Sequence, residues 1–230
     1  MKFSVLTLFP DIITHYVSQS IIGRAKTAGV IEVEALNPRD YTTDPHRKVD
    51  DSPYGGGSGM VLACQPVEAA FESLLPLAAP ARVLMTSPAG RRFDHRLALE
   101  LSAAKQVVIL CGHYEGFDER IKDLLPGLSG LPLEEVSMGD YVLTGGELPA
   151  LSIIDAVTRL LPGGVQKFTS VENDSFYNGL LDYPHYTRPA DYKGYAVPDV
   201  LLSGNHPAIG QWRKAQALER TQKHRPDLLP

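Results

Sequence analysis

What this 230-residue chain has little of narrows its class before any motif is read. Cysteine occurs twice, at Cys64 and Cys111, in separate segments and without metal-ligand or redox spacing. Both are expected to be reduced, mostly buried thiols rather than a disulfide or zinc ligands. Positive charge is not in excess: 22 Lys plus Arg stand against 27 Asp plus Glu, a net charge of -5. That excludes the uniformly basic body of a nonspecific nucleic-acid binder and confines any RNA contact to a local surface. No hydrophobic run approaches the ~20 residues of a membrane span. The apolar N-terminus, Met1 to Phe9, lacks a cleavage pattern and is stopped by Pro10-Asp11, so a cytoplasmic protein without membrane attachment is expected. Two nucleotide-binding signatures are also missing. No Gly-x-Gly-x-x-Gly follows the first strand, which disfavours a Rossmann-type oxidoreductase, and no Gly-Lys-Ser/Thr closes the glycine-rich stretch after Asp50.

What is present suits an α/β fold. A 43% share of hydrophobic side chains can bury one substantial core and a small second domain. Val5, Leu6, Leu8 and Phe9 form a short apolar run that meets a Pro-Asp helix start, and the same strand-to-helix order recurs twice. Arg82 to Thr86 precedes a Ser87-Pro88-Ala89-Gly90 turn and an amphipathic stretch, Phe93 to Leu101. Val107 to Cys111 ends at Gly112 and leads to Phe117 to Leu125. Ile31 to Leu36 is a further strand and Leu148 to Leu161 a strongly apolar helix. Alternating strands and helices imply a parallel sheet, with ligands at the carboxyl ends of its strands. Residues 1–161 are assigned to this domain. Residues 162–174, opened by Pro162-Gly163-Gly164, are assigned to a linker, and 175–230 to a small, mainly helical second domain. Its last helix, started by His206-Pro207, carries Trp212, Arg213, Lys214, Arg220, Lys223 and Arg225, with Glu219 the one acid between Gly204 and Pro226. This is either an RNA-facing element or a solvated basic face.

Four loops carry candidate chemistry. Asp50 to Met60 holds Gly55, Gly56, Gly57 and Gly59, which suit either a mobile loop or close backbone approach to a ligand. Thr86 to Gly90 is a turn that a sheet needs in any case. In Cys111 to Arg120 the functional reading leads, because a polar, ionisable cluster stands at a strand's carboxyl end. Ser137 to Pro149 flanks a short apolar run with glycines, a setting in which backbone groups and apolar side chains could hold a flat adenine ring. Arg159, near the end of the apolar helix, and Asp174, in the linker, each have an ordinary structural reading, ion pairing and helix capping, and spacing alone does not join them.

Read in order, these segments resemble the bacterial tRNA (guanine-N1)-methyltransferase family of TrmD type, in the knotted SPOUT class, which acts on guanosine 37 beside the anticodon. The resemblance runs from Leu8-Phe9-Pro10 and Gly23-Arg24-Ala25 through Pro38-Arg39-Asp40-Tyr41, His46-Arg47, the Asp50 to Met60 loop, Gly112 to Arg120 and Gly139 to Pro149. It continues in Asn173-Asp174-Ser175-Phe176, Gly179-Leu180-Leu181, Pro184 to Pro189 and Leu201 to His206. It implies a deep trefoil knot in the parallel α/β sheet, where topology rules alone would give an unknotted doubly wound sheet. It implies S-adenosylmethionine as methyl donor, held by Thr86, Ser87, Pro88, Gly112, Tyr114, Glu115, Met138, Gly139, Asp140, Tyr141, Val142, Leu143, Gly145, Gly146 and Pro149. It further implies Asp174 as general base, Arg159 as the group facing charge on guanine O6, and a magnesium ion whose nearest protein group would be Glu115. The partners implied are tRNA and a second copy of the chain, in a homodimer with shared active sites. RNA contacts are expected from Arg24, His46, Arg47, His113, Arg188, Asn205, His206, Arg213 and Lys214. Ser58 departs from the usual proline, and Lys122 to Leu133 looks longer than in relatives.

Overall fold

The computed structural model describes residues 1–166 and 171–229. It forms two compact units, Met1–Gln166 and Lys167–Pro230. The division falls inside the stretch assigned to a linker, so the second unit begins before the expected residue 175. Part of that linker, residues 167–170, lies outside the described residues.

Unit 1 is built on a five-stranded sheet in the order β2-β1-β6-β5-β7, parallel throughout. Its strands are β1 (Lys2–Leu6), β2 (Glu32–Leu36), β5 (Ala81–Arg92), β6 (Gln106–Leu110) and β7 (Leu133–Ser137). β6 lies between β1 and β5, and all five of its residues are buried, as a central parallel strand covered on both faces requires. Side chains alternate between the two faces. Leu6, Val83, Met85, Val108 and Leu110 pack with Val67, Ala70, Phe71, Ile121 and Leu125 from α3 (Cys64–Glu72) and α5 (Ile121–Ser129). The intervening Phe3, Val5, Leu84, Val107 and Ile109 are equally buried and belong to the opposite face. There α1 (Pro10–Tyr16), α2 (Ser20–Thr27) and α4 (His95–Ser102) each contact α6 (Glu147–Leu160), whose Ala150, Ile153, Ile154 and Val157 are fully buried. The two buried polar side chains at the sheet's start satisfy one another: Gln106 Nε2 donates to Ser4 Oγ at 3.0 Å, and Ser4 Oγ donates to Glu34 at 2.6 Å.

Local chemistry sets the element ends. Asp94 caps α4 by accepting from the Leu97 N–H, so that helix starts two residues later than Phe93. The 122–133 segment resolves into α5, ended by Gly130 in the left-handed conformation (φ 69°), and the start of β7. Two short strands, β3 (Asp50–Asp51) and β4 (Val61–Leu62), pair antiparallel around the glycine loop. The expected turn at 87–90 is instead an excursion within β5. Thr86 and Arg91 both stand opposite Val136, so the residues between them step out of the ladder and return to the same place.

Unit 2 holds a two-stranded hairpin, β8 (Asp191–Tyr192) with β9 (Tyr195–Ala196), a short α7 (Asp199–Leu202) and the 19-residue α8 (His206–His224). Asn205 caps α8 by accepting from the Ala208 N–H at 3.2 Å, with Pro207 in the first turn. Among the described residues no helix is long and apolar enough to cross a membrane.

Candidate active site

The excursion of β5 and the loops after β6 and β7 meet at the carboxyl ends of their strands and enclose a cleft of about 260 Å³. Thr86 ties the first two together: its hydroxyl donates to the Leu110 carbonyl at 3.2 Å and accepts from the Gly112 N–H at 3.4 Å. After β7, the Ser137 hydroxyl accepts from the Gly139 N–H at 3.1 Å and closes a tight turn in which Gly139 takes φ 134°. The third loop joins them through Gly146, whose N–H donates to the Gly112 carbonyl at 2.9 Å. A Cβ on Gly146 would lie 2.3 Å from Thr86 Oγ1 and 2.6 Å from Cys111 Cα, so the strand ends touch only because this residue has no side chain.

Tyr114 stands at the mouth in the left-handed region (φ 59°), a strained conformation for a ring-bearing residue and one that clusters at functional sites. Glu147, the first residue of α6, is buried and accepts a 2.6 Å hydrogen bond from Thr7, whose hydroxyl also receives the Phe9 N–H. A carboxylate at a helix start is favoured by the helix dipole, and here it links α6 to β1. The glycine loop docks on the same region: the Leu62 N–H donates to the Gly116 carbonyl and the Glu115 N–H to the Met60 carbonyl. A Cβ on Gly59 (φ 91°) would sit 2.3 Å from the Glu115 carboxylate.

Of the expected donor residues, all but Asp140 line the cleft; Asp140 is exposed and stands outside it. His113, expected to contact RNA, also lines the cleft. Its ring is 5.0 Å from Phe9 and 5.1 Å from Tyr114, and its buried Nδ1 has no hydrogen-bond partner. Ser137, Thr144 and Gly116 also line it and belong to the loops read as candidate sites without being among the expected donor residues, while Val136, a buried strand residue, carries no sequence signal for a site. Arg159 lies elsewhere in unit 1, in a separate depression with Tyr16, Ile22 and Asp155, where the Tyr16 hydroxyl donates to Asp155 at 2.7 Å. Asp174, in unit 2, sits in a turn: its N–H donates to the Val171 carbonyl at 3.1 Å, and Phe176 follows at φ 76°. Arg24 and His46 are exposed. Arg47, expected to face RNA, is held by an ion pair to Asp40 and by a bond from its Nε to the Arg39 carbonyl. Among the described residues no group of three or more His, Cys, Asp or Glu side chains could hold a metal ion.

Below the cleft, Asp118 accepts three hydrogen bonds from Arg120, one from its backbone and two from its guanidinium. The guanidinium holds the Asp118 carboxyl well below the usual carboxylate range, and burial together with Asp118 pushes the neighbouring Cys64 thiol up. Because the folded value is depressed, the ionised carboxylate contributes stability above its unfolded value of roughly 3.9, and this contribution is lost as pH falls toward the folded value. Asp118→Asn is therefore expected to flatten the acid limb of a stability-against-pH curve measured by urea unfolding, and an unchanged limb would contradict the assignment.

Cleft volume alone does not mark this site, since a depression in unit 2 measures about 290 Å³. Comparison with known proteins is decisive. The family model described as tRNA (Guanine-1)-methyltransferase TrmD matches residues 1–230. A protein from Exiguobacterium sp. named tRNA (guanine-N(1)-)-methyltransferase is 54% identical over 229 residues, covering 100% of this chain and 92% of the relative. Proteins of the same name from Trichormus variabilis and Geobacter sulfurreducens are each 51% identical, covering 100% of this chain and 91% of their own. The chain belongs to the tRNA (guanine-N1)-methyltransferase family.

Proposed function

We propose that this tRNA methyltransferase takes a methyl group from S-adenosylmethionine and places it on N1 of guanosine 37, working in the cytoplasm as a homodimer with shared active sites. The observation that carries the reading is the three-loop cleft. Gly145 and Gly146 draw its walls together, since a Cβ on either would meet Glu147 or Thr86 at 2.3 Å, while Val142, Leu143 and Pro149 supply apolar surface for a flat ring. Bound there, the donor supplies an electrophilic methyl group on a sulfonium.

Every other task falls to side chains of the chain. Guanine N1 carries a proton and is a poor nucleophile until that proton leaves, and Asp174 is the general base that takes it. Carboxylates are weak bases for so weak an acid. Arg159 answers this by stabilising the negative charge that grows on O6 as the proton departs. Arg24, His46, Arg47, His113, Arg188, Asn205, His206, Arg213 and Lys214 contact the tRNA, and the target base is flipped out for its Watson-Crick edge to be read. Two copies of the chain supply the complete set. Support for the dimer comes from Phe9, Ile12 and Tyr16 at α1 and Leu148 on α6, large apolar side chains left exposed where these two helices pack. The sheet of this proposal carries a trefoil knot, with backbone packed directly on backbone at Gly90, where a Cβ would meet the Glu135–Val136 peptide at 2.3 Å. Magnesium is not assigned a step: Glu115 is a single exposed carboxylate and does not make a cage by itself.

The test is methyl incorporation from labelled S-adenosylmethionine into unmodified tRNA transcripts that carry guanosine or another base at position 37. Transfer to N1 of guanosine 37 alone is expected. Equal transfer to both transcripts would assign a different base or a ribose hydroxyl. A second measurement probes the cleft wall: Gly59→Ala pushes on Glu115 and is expected to weaken donor binding about tenfold in calorimetry, of the order of one lost charged contact. Gly56→Ala, at φ 77° but with no atom within 4 Å of the added carbon, should bind the donor as the wild type does.

A further inference from the structure

Unit 2 carries a depression of its own, between the segment Tyr183 to Arg188 and α8. Its lining is dominated by flat, polarisable groups. Tyr186 and Trp212 have ring centroids 6.4 Å apart at 52°, and Tyr183 and His185 are 4.7 Å apart at 43°. The Arg213 guanidinium lies 4.8 Å over the Tyr183 ring, while Leu201 and Ile209 add apolar surface. Tyr186 leaves 48% of its surface in water, an uneconomical place for a large ring that has only packing to do.

The charges around these rings are unequally used. His185 is paired with Asp182 at 2.8 Å. Among the described residues neither Arg188 nor Arg213 has a carboxylate partner. A ligand that fits must therefore offer both a flat aromatic face and negative charge beside it. An unpaired nucleotide does: its base stacks on a ring, and its phosphate accepts from guanidinium groups. An acidic peptide would satisfy the two arginines and leave the rings without a role.

We propose that this depression binds one unpaired base of the tRNA, separately from the methylation cleft, with which it shares no residue. The proposal rests on the chain's reading as a tRNA-modifying enzyme and adds an aromatic stacking site to it, with Tyr186 and Trp212 as platform and Arg188 as phosphate anchor. It also explains the chemistry of the α8 face, where positive charge alone would not need an indole.

The chain's one tryptophan is Trp212, so its fluorescence reports on this depression alone. Titrating the full-length protein with an unmodified tRNA transcript is expected to quench that fluorescence. Tyr186→Leu should raise KM for tRNA about tenfold with kcat held, within the range for one lost base–aromatic stack, and Tyr186→Phe should restore it. Tyr186 is half-exposed, so loss of the fold is not expected in either variant. Absence of quenching when filter retention shows the tRNA bound would overturn the proposal, as would failure of the phenylalanine variant to rescue. Quenching without methyl transfer would keep the stacking site and overturn the catalytic reading. A fluorescence change that follows protein concentration without RNA, together with a change in molecular mass, would overturn it in favour of a contact between two copies of the chain.

Discussion

Asp174→Asn is expected to lower kcat for methyl transfer by about 10² to 10⁴-fold, the usual contribution of a positioned general base. The substitution keeps the size and polarity of the side chain and removes only its basicity. The turn that presents residue 174 rests on backbone bonds, from its own N–H to Val171 and from the Tyr177 N–H to its carbonyl, so the asparagine should occupy the same place. With the donor in the cleft, as proposed, its binding should be unaffected, because Asp174 is not among the residues lining that cleft. Single-turnover kinetics on guanosine 37 transcripts would separate the step from binding. A variant with full single-turnover rate would remove Asp174 from the chemistry. Arg159→Lys is the companion measurement: it retains the charge but not the planar fork, and an activity close to wild type would show that charge alone suffices.

Gly146→Ala is expected to abolish donor binding in calorimetry and to destabilise unit 1 by about 1–3 kcal/mol, the range for overpacking a filled interior. The added carbon would lie 2.3 Å from Thr86 Oγ1, 2.6 Å from Cys111 Cα and 2.9 Å from the Gly112 nitrogen. Two of these three atoms are backbone and cannot turn aside as a side chain would. The strand ends must separate, and the loops that line the cleft are carried on those ends. Gly127→Ala supplies the contrast. It lies within α5 with no atom within 4 Å of the added carbon, so it should bind the donor normally and gain slightly in helix propensity. Equal behaviour of the two variants would show that the crossing at Gly146 is not what forms the site.

Much of this was legible in the residues. The apolar runs at 82–86 and 107–110 lie in strands because burial on both faces of a parallel sheet demands continuous hydrophobicity. Of the run at 5–9 only Val5 and Leu6 belong to β1, which starts earlier at Lys2, and exposed Phe9 stands at the start of α1. The loops that follow them were readable as a site because glycine and ionisable residues cluster there. Other features were not readable. Ser87-Pro88-Ala89-Gly90 has the composition of a turn, and only the partner strand reveals that β5 resumes after it. Asp140 has the same local sequence signal as its neighbours Gly139 and Tyr141, yet the Gly139 turn leaves it exposed. The neighbours of His113 were equally hidden, since its ring settles against Phe9, which is 104 positions away in sequence and adjacent only through the pairing of β1 with β6. Tyr183 and Tyr186 stand in an irregular segment and Trp212 on the last helix, and what joins them is the packing of α8 against that segment.

The placement of β6 between β1 and β5 also bears on how the chain is made. Synthesis delivers β1, β2 and β5 before the strand that must lie between two of them. Until residue 110 has emerged, β1 and β5 each hold an unpaired hydrogen-bonding edge, and the two cannot be joined to each other without occupying the gap. Pairing Lys2 with Gln106 closes a very long loop, a non-local contact of the kind that slows folding and prolongs exposure of apolar surface. The nascent N-terminal half is thus a client for holding rather than a domain that folds as it appears, and β6 is the strand that releases it.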